Sequence, residues 1–356
     1  MVVNEDLRVI HLTGTSRERG RAYGEQLRDA ITFGIGRWKE ALQASTGIRP
    51  NEWLEEFVES TNFLPAIERW APHLLEEVRG IAEGADIPFR DAYAYQLMDE
   101  EWAFRYQAAK SKGAASAHCS VIGARESANT VILAQNMDLP AYYDGTQTLL
   151  QFDDLGNTPA SLVFTPAGII GTCGVNTAGV GVCVNTLAQL PRAPEGLPVA
   201  FVMRRLLEYR TLGDAVAFLQ TVPHASGQNY AIGGPDGVVD FECSASSVTQ
   251  FGAGRNCIVH TNHPLAAAGE GRDEERDMTN SEMRYAFLEN AVDGKQITVE
   301  LAESLLSSRE TPISLGRDEG TDSMTLGSLV MELSVPPILH LAPGPPNETP
   351  YRRWTF

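Results

Sequence analysis

The apolar pattern of this chain changes period at one place, near Cys119, and any fold has to accommodate that change. Upstream the spacing is helical. From Cys119 onward it becomes short apolar runs separated by polar turns, the pattern of strands. Between the two lies a linker of small residues, Gly113-Ala114-Ala115-Ser116-Ala117, which leads into His118-Cys119-Ser120. Cysteine is commonly just a small buried apolar residue. Its position at a helix-to-strand switch makes Cys119 a candidate for chemistry instead.

Upstream, Leu7 to Leu12 reads as a short strand, and Thr15 with Glu18 forms a capping box that opens one long helix to about Ala44. Gly20 and Gly24 lie on one face of it and invite close approach of another backbone, so they read as packing and not as a phosphate loop. Helices over about Asn51 to Ile67 and His73 to Glu83 follow, the second closed by Gly84. Pro88 opens a fourth, Phe89 to about Ala109. Its acids Asp99, Glu100 and Glu101 read as a solvated face, and Trp38, Trp53, Trp70 and Trp102 as core.

Downstream, Cys119 to Ala124 and Thr130 to Asn136 read as a hairpin turning at Arg125 to Asn129. A turn centred near residues 127 and 128 sets Cys119 opposite about residue 136, with Asp138 diagonally beside it on the same face. Thiol, Asn136 amide and Asp138 carboxylate then converge. Strands follow at Gln147 to Phe152 and Ala160 to Thr165, then as a pair within Gly168 to Leu187 joined at Asn176 to Gly179. The glycines of that pair lack the GxGxxG of a dinucleotide loop. Helices at Pro198 to Tyr209 and Leu212 to Leu219 precede a second set of strands that ends at Cys257 to Thr261, within the tetrad HTNH. A charged surface loop, Arg272 to Asp277, helices at about Thr279 to Asn290 and Val299 to Leu306, and strands at Thr325 to Leu333 and Ile338 to Leu341 lead to a proline-rich tail. Helices, strands, helices, strands in that order predict an α+β chain folded as a four-layer αββα sandwich.

A net charge of −18, from 46 acids against 28 bases, argues against nucleic acid or an anionic membrane as partner. No run approaches the ~18 apolar residues of a membrane span, and no basic region followed by a long apolar segment opens the chain. The expected location is cytoplasmic. Five cysteines, at 119, 173, 183, 243 and 257, form neither a CxxC pair nor a dense framework, as expected of reduced thiols.

Four motifs occur in a fixed order: Ala117-His118-Cys119-Ser120, the AQNMD run ending at Asp138, GIIGTCGVNTAGVGVCVNTL from Gly168 to Leu187, and HTNH from His260 to His263. Together they resemble the acyl-coenzyme A:6-aminopenicillanic acid acyltransferase family, which is distantly similar to choloylglycine hydrolases and penicillin V acylases. The resemblance covers almost the whole chain. It implies the αββα sandwich of the N-terminal-nucleophile hydrolases and self-cleavage between His118 and Cys119, with Ser120 following. The products would be a helical chain of residues 1–118 and a catalytic chain of residues 119–356, held together as one domain and a processed heterodimer; a homo-oligomer is left open.

The mature site needs no histidine, because a free α-amine with a pKa of about 7.7 to 8.0 can take the thiol proton and later protonate a leaving amine. By resemblance Asp138 orients the new ammonium. Asn262 and Asn185, at the ends of separate strands, are candidates to stabilise the oxyanion, and Asn136 supports the hairpin. Gln135 stands where choloylglycine hydrolases carry arginine, as in acyltransferase-type members. Thr321-Asp322 stands where the fungal acyltransferase has a serine-arginine pair, which reverses the charge there. Met137, Leu139, Tyr142 and Tyr143 are candidates for an apolar specificity pocket.

His260 and His263 lack an adjacent third ligand and fit neither HExxH nor a zinc-finger spacing, so no metal and no cofactor is expected. The reading is an amidase that hydrolyses a linear carbon–nitrogen bond of a small molecule through a thioester on Cys119. Two alternatives are an acyltransferase passing an acyl group, from acyl-CoA for example, to an amine such as a β-lactam nucleus, and an uncleaved, non-catalytic binding protein.

Overall fold

The computed structural model describes residues 7–109, 118–127, 130–267, 278–317 and 322–356. The expected small-residue linker, the tip of the hairpin, the charged loop at Arg272 to Asp277 and Thr321 lie outside the described residues. In chain order the elements are β1 (Arg8–Leu12), α1 (Ser16–Gln26), α2 (Arg28–Thr46), α3 (Pro50–Glu59), α4 (Leu64–Trp70), α5 (Pro72–Ala85), α6 (Phe89–Tyr95) and α7 (Met98–Ala109). The hairpin β2 (His118–Ser127) and β3 (Thr130–Pro140) follows, then β4 (Gln147–Phe152), β5 (Ser161–Pro166), β6 (Cys173–Asn176) and β7 (Gly181–Thr186). Next come α8 (Val199–Leu206), α9 (Leu212–Thr221), β8 (Gln228–Gly234), β9 (Gly237–Cys243), β10 (Val248–Phe251) and β11 (Cys257–His260). The chain closes with α10 (Thr279–Val292), α11 (Val299–Leu306), β12 (Ser323–Glu332), β13 (Ile338–Ala342) and β14 (Arg352–Trp354).

Two sheets stack face to face. One runs β1-β4-β5-β6-β7-β8-β9-β10 and the other β11-β2-β3-β12-β13-β14. Among the named strands every pairing is antiparallel except that of β1 with β4. Strand alternation sorts the side chains of the hairpin. Val121, Val131, Leu133 and Met137 face the other sheet in the large core, whereas Ile122, Ala124, Ile132 and Ala134 face α10 and α11 in a second one. The remaining helices cover the outer face of the eight-stranded sheet, which gives the four αββα layers. Among the described residues no helix is long and apolar enough to cross a membrane.

Gly20 and Gly24 do serve packing. A β-carbon at Gly20 would lie 2.0 Å from the Glu77 carbonyl oxygen on α5, and one at Gly84 would lie 2.1 Å from that of Arg21 on α1. The two backbones touch through four glycines, the others being Gly24 and Gly80. Gly20→Ala is therefore expected to cost about 1–3 kcal/mol of stability or more, as overpacking of a rigid contact does. Chemical denaturation of the variant checks this; an unchanged midpoint would mean that the helices can separate freely.

Several helices end earlier than their patterns predict. The expected long first helix breaks at Leu27, whose φ of −116° and ψ of 22° are not helical. The Asn51–Ile67 segment divides into α3 and α4, and Phe89–Ala109 into α6 and α7. Gly84 lies inside α5, whose left-handed cap is Asp86. The tail also contributes a strand, β14, on the edge of β13.

The largest departure concerns the acids of α7. Asp99, Glu100 and Glu101 are buried, not solvated. Each finds separate partners: Asp99 accepts from Thr186 and Gln228, Glu100 from Ser226 and the Val199 N–H, and Glu101 from Trp53 and Arg105. Successive helical positions point about 100° apart, so three consecutive acids can be satisfied only by a helix that is enclosed on most sides.

Candidate active site

In the hairpin Cys119 pairs with Met137, His118 with Asp138 and Ser120 with Asn136. This is one residue away from the predicted register. Ser127 pairs with Thr130, so the hairpin turns later than expected, and a bulge between Arg125 and Ser127 recovers only part of the difference. A slip of one residue exchanges the faces of a strand. Asn136 and Asp138 consequently lie on the face opposite to the thiol, toward α10 and α11.

Asn136 spends its amide on the carbonyls of Leu306 and Ile313, both at 2.8 Å, and so anchors the loop after α11. Asp138 Oδ1 accepts from Thr325 Oγ1 at 2.5 Å, while its Oδ2 is buried with no partner among the described residues. Gln135 shares the Cys119 face and donates to the Val184 carbonyl of β7, bridging the two sheets.

The backbone of Cys119 is held by side chains because its neighbouring strand has ended. β11 pairs its last residue, His260, with Val121. Two residues further along β2, the Cys119 N–H donates to Asn262 Oδ1 at 2.8 Å. The Cys119 carbonyl accepts from Arg284 Nη1 at 2.7 Å. Arg284 also donates to Ser120 Oγ at 3.0 Å and, through Nη2, to Asn262 Oδ1 at 2.9 Å. Ser281 clamps the tetrad onto the first turns of α10, accepting from the Asn262 N–H at 2.7 Å. Together these bonds replace the missing rungs of the ladder and fix the backbone on both sides of the thiol.

Arg284 had no role in the sequence reading. Its signal was available in the spacing: Ser281, Arg284, Leu288 and Val292 form the buried stripe of α10, and an arginine inside such a stripe needs buried acceptors.

Burial pushes the Cys119 thiol up to about 12, with the Asp138 charge adding to it; the Asp138 backbone N–H and the Arg284 guanidinium act in the opposite direction. Burial also pushes the Asp138 carboxyl up to about 7, against the Thr325 hydrogen bond and Arg284. The Arg284 guanidinium is itself lowered by burial.

The asparagines occupy different positions. Asn262 adjoins Cys119, but its Nδ2 donates to the Thr186 carbonyl at 3.2 Å. Asn185 lies between the sheets, where its Oδ1 accepts from Asn229 at 3.2 Å and its Nδ2 faces the His260 carbonyl at 3.5 Å. Its hydrogen bonds among the described residues do not reach Cys119. His260 pairs with Glu242 at 2.8 Å, and Glu242 also accepts the backbone N–H groups of Leu265, Ala266 and Ala267. His263 Nδ1 meets Ser281 Oγ at 2.8 Å. Among the described residues no group of three or more His, Cys, Asp or Glu side chains could hold a metal ion.

Cys119 opens into an apolar cavity with about 470 Å³ of empty space, lined by Met98, Met137, Leu139, Ala200 and Met203 among others. Tyr142 and Tyr143 are not part of this lining, contrary to expectation. Tyr143 is buried against Tyr95, and the Tyr142 hydroxyl accepts from Trp102 Nε1, so both tyrosines are held in helix packing. A second cavity, with more polar residues in its lining, adjoins the first, with Asp99, Trp102 and Thr186 lining both. His118, Gln189, Ser226, Gln228 and Asn262 line it as well.

The sequence of residues 125–335, more than half of the chain, matches the model of the acyl-coenzyme A:6-aminopenicillanic acid acyl-transferase family. The chain belongs to that family. As a member of that family it is an enzyme of the acyltransferase type. Over 322 residues it is 26% identical to the acyl-coenzyme A:6-aminopenicillanic-acid-acyltransferase 40 kDa form of Emericella nidulans, which covers 87% of this chain and 85% of the relative. Among solved structures it is similar to the Caenorhabditis elegans N-acylethanolamine-hydrolyzing acid amidase ortholog, at 18% identity and a TM-score of 0.44 over 67% of this chain and all of that one. It is also similar to a mutant of the conjugated bile acid hydrolase from Clostridium perfringens, at 15% identity and a TM-score of 0.47 over 66% of this chain and 92% of that one.

Proposed function

We propose that this family member cuts itself between His118 and Cys119 and then hydrolyses a linear amide through a thioester on Cys119. The observation that carries the proposal is the seat of Cys119. Its backbone N–H and C=O are held by Asn262 and Arg284 at the end of a strand, and its thiol opens into an apolar cavity.

In the first step the thiol attacks the His118 carbonyl. The carbon–nitrogen bond breaks as the carbon–sulfur bond forms, and the proton passes from sulfur to the new amine. Water then hydrolyses the thioester, leaving residues 1–118 with a free carboxylate and residues 119–356 with a free amine. In turnover that amine takes the thiol proton, the thiolate attacks the substrate carbonyl, and the proton leaves with the departing amine. Water releases the acid. Before the cut Asn262 Oδ1 already accepts from the nitrogen that becomes the amine, and the unpartnered Asp138 Oδ2 is a second acceptor for the same group once the chain end is free to turn. Asn185 and Asn262 Nδ2 remain the candidates to stabilise the oxyanion, Asn262 after exchanging its bond to Thr186.

A second reading, transfer of the acyl group to an amine, is favoured by the family's own description as acyltransferases. It shares the acyl-enzyme and differs only in the acceptor, so thioester donors tested beside plain amides separate the two.

Intact mass spectrometry of the purified protein beside a Cys119→Ala control tests the proposal. Two masses split at His118/Cys119, with only full length in the control, are expected. A single full-length mass for the wild type under all maturation conditions would refute self-cleavage.

A further inference from the structure

The cavity next to the one that holds the thiol is built to receive hydrogen-bond donors. Its lining includes the Asp99 carboxyl and the side-chain amides of Gln189 and Gln228, all at least nine-tenths buried. Gln228 donates through Nε2 to Asp99 Oδ1 at 3.1 Å and to Ser226 Oγ at 3.3 Å, which fixes its orientation and leaves Oε1 as the free end. That Oε1 is buried with no partner among the described residues, and so is Gln189 Oε1. Asp99 Oδ1 accepts from Thr186 at 2.5 Å and from Gln228 at 3.1 Å. Buried acceptors without donors are unfavourable by themselves. A ligand that brings N–H groups would supply donors to the two glutamine oxygens, and a positive charge would pair with the Asp99 carboxyl.

The place of this cavity decides which part of a substrate would enter it. Cys119 lines the apolar cavity and not the polar one, so an acyl chain bound to the sulfur starts in the apolar cavity. Asp99, Trp102 and Thr186 line both cavities, which leaves the adjoining cavity to receive the amine half of an amide whose acyl chain fills the first. Arg192, a cation, also lines the polar cavity, and Gln107 faces its guanidinium.

We propose that Asp99, supported by Gln228 and Gln189, is a specificity-determining residue that selects amides whose amine half carries a cationic or N–H-rich group. This rests on the amidase reading above and names its substrate class: an apolar acid joined to a polar, amine-bearing partner. Asp99 precedes the proposed cut, so the N-terminal chain would supply specificity to the nucleophile of the C-terminal one. Burial raises the Asp99 carboxyl above its ordinary range, as suits an acid that lacks its cationic partner.

The test compares two amides of one medium-chain fatty acid, an aminobutyl amide with a terminal ammonium and its neutral butyl counterpart, on the processed protein. Wild type is expected to favour the cationic amide by about tenfold or more in kcat/KM, the size of one hydrogen bond to a charged group. Asp99→Asn is expected to bring the ratio of the two to within about twofold. That ratio is insensitive to a general loss of folding or catalysis. A wild-type ratio near one, or an unchanged ratio in the variant, would overturn the assignment. Should Cys119 be a free N-terminus and neither amide turn over, the hydrolytic reading fails by itself. Calorimetric titration of the same two amides then decides the subsite: tighter binding of the cationic one sustains it, and equal binding refutes it.

Discussion

Arg284→Met is expected to stop processing at Cys119 and to lower stability by about 3–5 kcal/mol, the range seen when one partner of a buried charged network is removed. The arginine is fully buried and donates to the Cys119 carbonyl, Ser120 Oγ and Asn262 Oδ1. Without it the carbonyl is left unpaired, Asn262 Oδ1 loses one of its two donors, and the Asp138 carboxyl loses its countercharge. Arg284→Lys keeps the charge but not the forked geometry, so it should fold better than Arg284→Met while still processing slowly. Intact mass and chemical denaturation check both effects. Normal processing with less than about 1 kcal/mol of change would show that the arginine is a bystander.

The second large effect is on pH dependence. The folded Asp138 carboxyl is raised from the ordinary carboxylate range to about 7. As pH rises through that window the unfolded chain releases its proton while the folded chain retains it, so the contribution of Asp138 to stability is full below the window and is lost as pH approaches 7 and passes it. Asp138→Asn has no such proton to lose. In a Cys119→Ala background, where no cut can intervene, the Asp138→Asn variant should gain on its parent by about 1–4 kcal/mol between pH 4 and pH 8. Denaturation curves at the two pH values measure this. A difference that stays constant with pH would mean that Asp138 ionises normally in the folded protein.

The layers were legible because they follow from period. The change at Cys119, the alternation through β2 and β3, and the helices α8 to α11 could all be read from apolar spacing. Position within a layer was harder. The register of the hairpin depends on a single bulged residue near its tip, and that one residue decides whether Asp138 faces the thiol or Arg284. Burial of charge was also hidden. Asp99 and Glu100 resemble any exposed helical run until β7, β8 with the residues just before it, and α8 supply Thr186, Gln228, Ser226 and the Val199 N–H from more than eighty residues away. Arg284 was missed for the same reason, since its acceptors come from two distant strand ends. Gly20 and Gly24 were read correctly because close backbone approach is a local property of glycine spacing.

β1 comes from the N-terminal side of the proposed cut, yet it pairs with β4 in parallel from Arg8–Thr148 to Leu12–Phe152. A parallel neighbour cannot be reached by a tight turn, so the helices between them wrap the molecule before the chain returns. Scission after His118 would therefore nick the protein without freeing either piece. Dilution should not separate the two fragments, and fragments made apart should regain a working enzyme only when unfolded and refolded together.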